Sequence, residues 1–139
     1  MSQPKLCLII DDDPDDQEIF EMCVKKINTD IKCLSCSSGV DAVAMLKSNT
    51  AFIPDYVFID VNMPKMNGIA CLQVLKTMQQ LKYSKIFMYS TTSEVSILEE
   101  SKKLGANDFI VKPSRVSDLK QKLSAIFQIA SEINPDSHN

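Results

Sequence analysis

The stretch YVFIDVNMPKMNG, Tyr56 to Gly68, decides how the chain is read. An apolar run, Tyr56-Val57-Phe58-Ile59, stops at an acid, Asp60. Pro64 and Gly68 then punctuate a short connection before a helix-periodic segment opens at Ile69. A buried strand that carries one carboxylate at its C-terminal tip is a site for chemistry, because ligands of open parallel sheets collect at that edge. The plainer alternative is that Asp60 only caps the turn that follows it.

The rest of the chain repeats the pattern. Residues 5 to 10 (KLCLII) read as a strand followed by DDDPDD. Asp13 suits an N-cap and Pro14 a first helical turn, with Asp15, Asp16 and Glu18 matched to the positive end of the helix dipole. Ile19, Phe20, Cys23, Val24 and Ile27 recur at helical spacing to about Asn28. A strand from Ile31 to Cys36 precedes a helix from Val40 to about Lys47, with Ser38 and Asp41 at capping-box spacing. After a loop over 48–54 comes the Tyr56–Ile59 strand. Ile69, Leu72, Leu75 and Met78 mark a third helix, and Ile86 to Tyr89 a fourth strand. A helix from about Glu94 to Lys103 stops at Leu104-Gly105, with Gly105 in the left-handed cap. The strand Asn107 to Val111 ends in Lys112-Pro113. A last helix, Val116 to Ile133, carries Leu119, Leu123, Ile126 and Ala130 on one face. Five short strands alternating with five helices imply an α/β fold with a parallel sheet covered on both faces.

Composition narrows the function classes. At 139 residues the chain is read as one domain, with its core over about 5–130 and a polar tail from 134 to 139. Net charge is −3, and Lys25-Lys26 and Lys102-Lys103 are too short for a basic patch, so no nucleic-acid or membrane partner is expected. No run approaches the roughly 18–20 apolar residues of a membrane span. Five cysteines without a repeating spacing argue for thiols in a reducing cytoplasm rather than a disulfide framework. Cys33-Leu34-Ser35-Cys36 has C-x-x-C spacing, but strand residues three apart point to opposite faces. The one histidine, His138, lies in the polar tail.

Parallel strands bring their C-terminal ends to one edge. That edge gathers Asp11 and Asp12, Asp60, Ser90 and Thr91, and Lys112, whereas the second strand brings only Ser37 and Ser38. Three converging carboxylates repel unless a cation intervenes. Mg²⁺ prefers oxygen ligands and is typically held by one or two carboxylates plus a phosphate. Lys112 adds a point contact for an anion, and Ser90 can donate to a phosphoryl oxygen. A carboxylate nucleophile would then form an aspartyl phosphate. Nucleotide and flavin sites are disfavoured: the first loop is acidic, and neither a P-loop nor a G-x-G-x-x-G fingerprint occurs.

Taken together, the ordered set IIDD (Ile9 to Asp12), D-x-N-M-P-x-M-N-G (Asp60 to Gly68), Ser90 and Lys112-Pro113 resembles the receiver domain of two-component response regulators, over about residues 5 to 130. The spacings fit too: thirty residues from Asp60 to Ser90 and twenty-two more to Lys112. The resemblance implies a flavodoxin-like sheet of order 2-1-3-4-5 with five flanking helices. It implies that Asp60 is the phosphoacceptor for a sensor histidine kinase or a histidine phosphotransfer protein. Asp12, Asp60 and the Asn62 backbone carbonyl would hold Mg²⁺, with Asp11 acting mainly through water, while Ser90 and Lys112 contact the phosphoryl group. Lys112-Pro113 is expected to be cis, as in the family. By the same resemblance, Asn62 and Thr92 fall at positions that tune phosphoryl lifetime in the family.

Phe109 replaces the tyrosine many receivers carry on the last strand, so coupling to Ser90 is expected through packing rather than through a hydroxyl. Asp13, Asp15 and Asp16 exceed the usual acidic pair and read as caps or as a tighter metal site. The expected role is a stand-alone cytoplasmic phosphoprotein that switches binding to a downstream protein, as a monomer or a phosphorylation-dependent dimer. It would not be an enzyme beyond its own phosphorylation and dephosphorylation. An aspartyl phosphatase would want an acid two residues after Asp60, where Asn62 stands. A degenerate receiver that binds partners without phosphate is the other alternative.

Overall fold

A computed structural model describes residues 5–27, 30–63, 65–91 and 94–132 of the protein. Asn28, Pro64, Thr92, the Ala130 side chain, His138 and the polar tail lie outside the described residues. The elements run β1 (Lys5–Ile10), α1 (Pro14–Ile27), β2 (Ile31–Cys36), α2 (Gly39–Ser48), β3 (Tyr56–Ile59), α3 (Gly68–Leu75), β4 (Lys85–Ser90), α4 (Val95–Lys103), β5 (Asp108–Val111) and α5 (Val116–Glu132). The sheet is wholly parallel in the order β2-β1-β3-β4-β5. β1 and β3 are therefore neighbours at the centre, with Ile10 opposite Ile59.

Alternation along the central strands divides the core in two. Cys7 and Ile9 of β1, with Tyr56 and Phe58 of β3, face α1 and α5. Leu8 and Ile10, with Val57 and Ile59, face the other side, where Leu46 of α2 and Leu72 and Leu75 of α3 cover them. Both faces are apolar, which is why these strands read as continuous hydrophobic runs. On the first face Phe58 stacks on Phe87 and meets Phe20 edge-on, each at 4.9 Å between ring centroids. Cys33 packs with this face and Cys36 with the other, the separation expected of strand residues three apart. Burial pushes the Cys36 thiol up, and that of Cys71 up to about 12, which is the setting of inert thiols.

Local signals account for most element ends. The Asp13 carboxylate accepts from the Asp15 amide at 2.9 Å, and Ser38 Oγ accepts from Asp41 at 3.0 Å. Asn67 caps α3 by accepting from Ala70 at 2.9 Å. Gly105 has φ +98°, and the Gly105 and Ala106 amides close onto the Lys102 and Ser101 carbonyls, a Schellman end. One element differs from the sequence reading. The third helix stops at Leu75, and a 3₁₀ turn over Gln79–Leu81 follows. Amides three residues on, at Thr77 and Met78, tighten its end. The recurrence of Met78 and Leu81 fits either kind of turn, so spacing could not separate them.

Gly68 fixes the approach of α3 to the end of β3. Its amide donates to the Val61 carbonyl at 2.8 Å. A Cβ at this position would lie 2.3 Å from the Asp60 carbonyl oxygen and 2.7 Å from Val61 Cα. Both are backbone atoms that cannot swing aside. Gly68→Ala is therefore expected to destabilise the fold by about 2–3 kcal/mol, seen as a lower urea midpoint at an unchanged slope. A loss below about 0.5 kcal/mol, the ordinary range for surface substitutions, would contradict this packing.

Candidate functional site

The sheet ladder extends into the acidic residues. The Asp11 amide donates to the Cys36 carbonyl at 3.0 Å, and the Asp60 amide to the Ile10 carbonyl at 2.8 Å. Both acids thus inherit the rigidity of central strands. The Lys112 amide donates to the Ser90 carbonyl at 2.7 Å, which ties the end of β5 to the end of β4. Asp11 and Ser90 are fully buried and Asp60 nearly so. Asp12 is exposed.

Ligand oxygens of Asp11, Asp12 and Asp60 all lie within 4.8 Å of one another. The Lys112 ammonium is 2.8 Å from Asp11, 2.8 Å from Asp16 and 3.7 Å from Asp60. It also sits 5.2 Å from the centroid of the Tyr89 ring, within cation–π range. Asp11 Oδ1 accepts from the Asp13 amide at 3.0 Å, and the Asn62 amide donates to the Asp60 carboxylate. An opening of about 450 Å³ gives onto this group, lined by Asp12, Asp16, Asp60, Asn62, Thr91 and Lys112 among others.

Burial and charge pull against each other here. Burial pushes the Asp60 carboxyl up to about 6; Lys112 pulls it back, and the carboxylates of Asp11 and Asp12 push it further up. Asp11 is raised by burial too, against its hydrogen bond from Lys112. For Lys112, burial alone would favour the neutral amine, but its hydrogen bonds to Asp11 and Asp16 prevail and hold it protonated. One ammonium does not neutralise this group of carboxylates. Oxygen donors at this spacing, with excess negative charge and an opening to solvent, fit a hard divalent cation such as Mg²⁺.

The structure brings together Asp11, Asp12, Asp60 and Lys112 as the sequence expected. Ser90 lies at the same strand edge but wholly below the surface, while its neighbour Thr91 lines the opening. Phe109 is half-buried and packs with the Leu8–Ile10 face, beside Val95, Leu98 and Ala106. Its register partner is Met88, two residues before Ser90, so Ser90 and Phe109 share a face of the sheet. Two corrections follow. No peptide bond among the described residues is cis, so Lys112-Pro113 is trans. Trans is the lower-energy form even before proline, by roughly 0.5–1 kcal/mol, and Lys112 reaches both Asp11 and Asp16 from it. Second, Asp16 is no mere helix-end charge, because it holds Lys112. Only the acidic run itself hinted at this.

The chain matches the response regulator receiver domain over residues 7–124, and it belongs to that family. Chemotaxis protein CheY-3 of Vibrio cholerae is 31% identical over 117 residues, covering 82% of this chain and 88% of that one. Among solved structures, the phosphorylated cyanobacterial phytochrome response regulator RcpA superposes with a TM-score of 0.81 at 23% identity, covering 89% of this chain and 91% of that one. The Mn²⁺-bound form of response regulator Rcp1 does so at 0.79 and 22%, covering 90% and 93%. These two establish the likeness of fold. Phosphorylation-dependent two-component signalling is the function expected of a member of this family. Receiver domains work with histidine kinases and downstream targets, and are not enzymes in the ordinary sense. Among the described residues no helix is long and apolar enough to cross a membrane.

The raised Asp60 pKa has a measurable consequence in the metal-free protein. In the unfolded chain an Asp titrates near ~3.9; folded, Asp60 titrates at about 6. The folded state therefore binds the extra proton in between, and stability falls as pH rises through that window. Asp60→Asn removes the cost. It should match the wild type below pH ~4 and exceed it by about 3 kcal/mol above pH ~7, in urea melts with chelator present. A difference that stays flat from pH ~4 to ~7 would contradict the assignment.

Proposed function

We propose that Asp60 is the phosphoacceptor of a two-component response regulator, with Mg²⁺ as its metal. The observation that carries this is the meeting of Asp60 with Asp11 and Asp12 within 4.8 Å and with Lys112 at 3.7 Å. Rcp1 has been solved with Mn²⁺ and RcpA in phosphorylated form, and both properties are carried over to this chain as part of the reading. Asp11, Asp12 and Asp60 would hold the cation, with the Asn62 carbonyl as a further oxygen donor. When bound, it offsets negative charge on the phosphoryl oxygens.

The chain's own groups do the rest. An Asp60 carboxylate oxygen attacks the phosphorus of a phosphohistidine on a sensor kinase or a histidine phosphotransfer protein. The new P–O bond forms as the P–N bond breaks, and the imidazole leaves with the bonding pair. Lys112 faces the charge that accumulates on the phosphoryl group, and Ser90 donates its hydroxyl to one phosphoryl oxygen. Asn62 and Thr91 border the path by which water reaches the acyl phosphate. On this reading residues 1–139 form a single receiver domain acting in the cytoplasm. It catalyses only its own phosphorylation and dephosphorylation, and phosphorylation changes its binding to a downstream protein.

Two outcomes test the reading. Incubation with Mg²⁺ and acetyl phosphate should add one phosphoryl mass to the intact protein, and Asp60→Asn should abolish the adduct. An adduct that survives Asp60→Asn, or continuous turnover of phosphomonoesters, would contradict it. Beyond the site, Ser90 and Phe109 share a face of the sheet, and on this reading any coupling between them runs through packing. Structures with and without beryllofluoride should therefore show the Phe109 ring shifting together with the loop after Ser90, and a ring that stays fixed while the loop moves would contradict that coupling.

A further inference from the structure

Three acids beyond the family pair follow β1: Asp13, Asp15 and Asp16. Asp13 is occupied as a cap, its carboxylate accepting from the Asp15 amide. Asp15 is exposed. Asp16 differs from both. Its Oδ2 lies 2.8 Å from Lys112 Nζ, the distance Asp11 Oδ2 also keeps. The two acids come from different elements: Asp11 from the end of β1, Asp16 from the first turn of α1.

An ammonium carries three N–H donors in a tetrahedral arrangement. Asp11 and Asp16 occupy two of them. Asp60 Oδ2, at 3.7 Å, is beyond hydrogen-bond distance. We propose that Asp16 is a positioning residue for the phosphoryl site: together with Asp11 it pins two donors of Lys112 so that the third is kept for a phosphoryl oxygen on Asp60. The proposal rests on the phosphoacceptor reading of Asp60.

The physical need for a second anchor is clear from the side chain involved. Lysine presents its charge on a flexible four-carbon stem. One contact, to Asp11, would leave the ammonium free to turn about its last bond. A second contact from α1 fixes its rotation and its distance from Asp60. A phosphoryl group on Asp60 extends past the carboxylate into the opening that Asp16 and Lys112 both line, where it can close the gap that the bare carboxylate leaves.

The competing explanation is the helix dipole. Asp15 and Asp16 both lie in the first turn of α1, and the dipole treats them alike. Their side chains point about 100° apart around the helix, and Asp16 is the one that meets Lys112. Asp15→Ala is therefore the control for helix stability. A second confusion is charge. Asp16→Ala and Asp16→Asn both remove it, and with it some attraction for a cation and some repulsion of an anion. Only Asn retains an oxygen able to accept from Lys112. The difference between these two variants isolates positioning.

The test uses the full chain and two readouts. In protein free of metal and phosphoryl mimic, nitrogen-15 NMR of the Lys112 ammonium should show a slowly exchanging signal in the wild type, Asp15→Ala and Asp16→Asn, lost to fast exchange in Asp16→Ala. At saturating Mg²⁺, half-saturation by beryllofluoride should need roughly threefold to tenfold more for Asp16→Ala than for Asp16→Asn, the range that one net hydrogen bond supplies. A protected Lys112 signal in Asp16→Ala, or equal beryllofluoride titrations for the two variants, overturns the proposal while leaving Asp60 as phosphoacceptor. A wild type that takes up no beryllofluoride overturns both.

Discussion

The ammonium of Lys112 faces three carboxylates, at 2.8 Å from Asp11 and Asp16 and 3.7 Å from Asp60. Buried charge is costly unless it is paired, and here the pairing is incomplete in the negative direction. Asp11 and Asp60 both stay harder to ionise than ordinary carboxyls. On the proposed reading that surplus gives the site its chemistry: it would favour a divalent cation and, with the cation there, an anionic phosphoryl group beside the lysine.

Such a cluster survives only if the backbone holds the acids together against their repulsion. The parallel order places β1 and β3 side by side, and the ladder runs on from each strand into its acid. From β4 and β5 the Ser90 carbonyl and Lys112 amide make the matching tie. Below the site Phe20, Phe58 and Tyr89 form one aromatic cluster under the lysine. Gly68 lets the next helix start against the Asp60 backbone without a clash. Substitution at any of these positions would act on the site through geometry, whatever it did to the charge.

Much of this could be read from residue order. Each apolar run ends where its strand ends, so residue order alone assigns Asp11, Asp60, Ser90 and Lys112 to one edge. The two faces of the C-x-x-C pair and the left-handed Gly105 likewise followed from strand alternation and cap chemistry. What resisted was tertiary. Nothing local separates Asp16 from Asp15, because which carboxylate meets Lys112 depends on how α1 turns against β5. Met78 and Leu81 repeat at a spacing that a 3₁₀ turn shares with a helix. The trans bond before Pro113 ran against the family expectation, since an X–Pro dipeptide by itself admits both isomers.

The central claim is that one carboxylate of the cluster, and not its neighbours, carries the phosphoryl group. Asp11 and Asp12 share the same space and the same charge type, so intact mass alone does not separate them. Borohydride cleaves an acyl phosphate and leaves homoserine in place of the aspartate that bore it. After treatment with acetyl phosphate and Mg²⁺, then borohydride, peptide sequencing by mass spectrometry should find homoserine at position 60, with Asp11 and Asp12 unchanged. Homoserine at position 11 or 12, or aspartate retained at all three, would contradict the account.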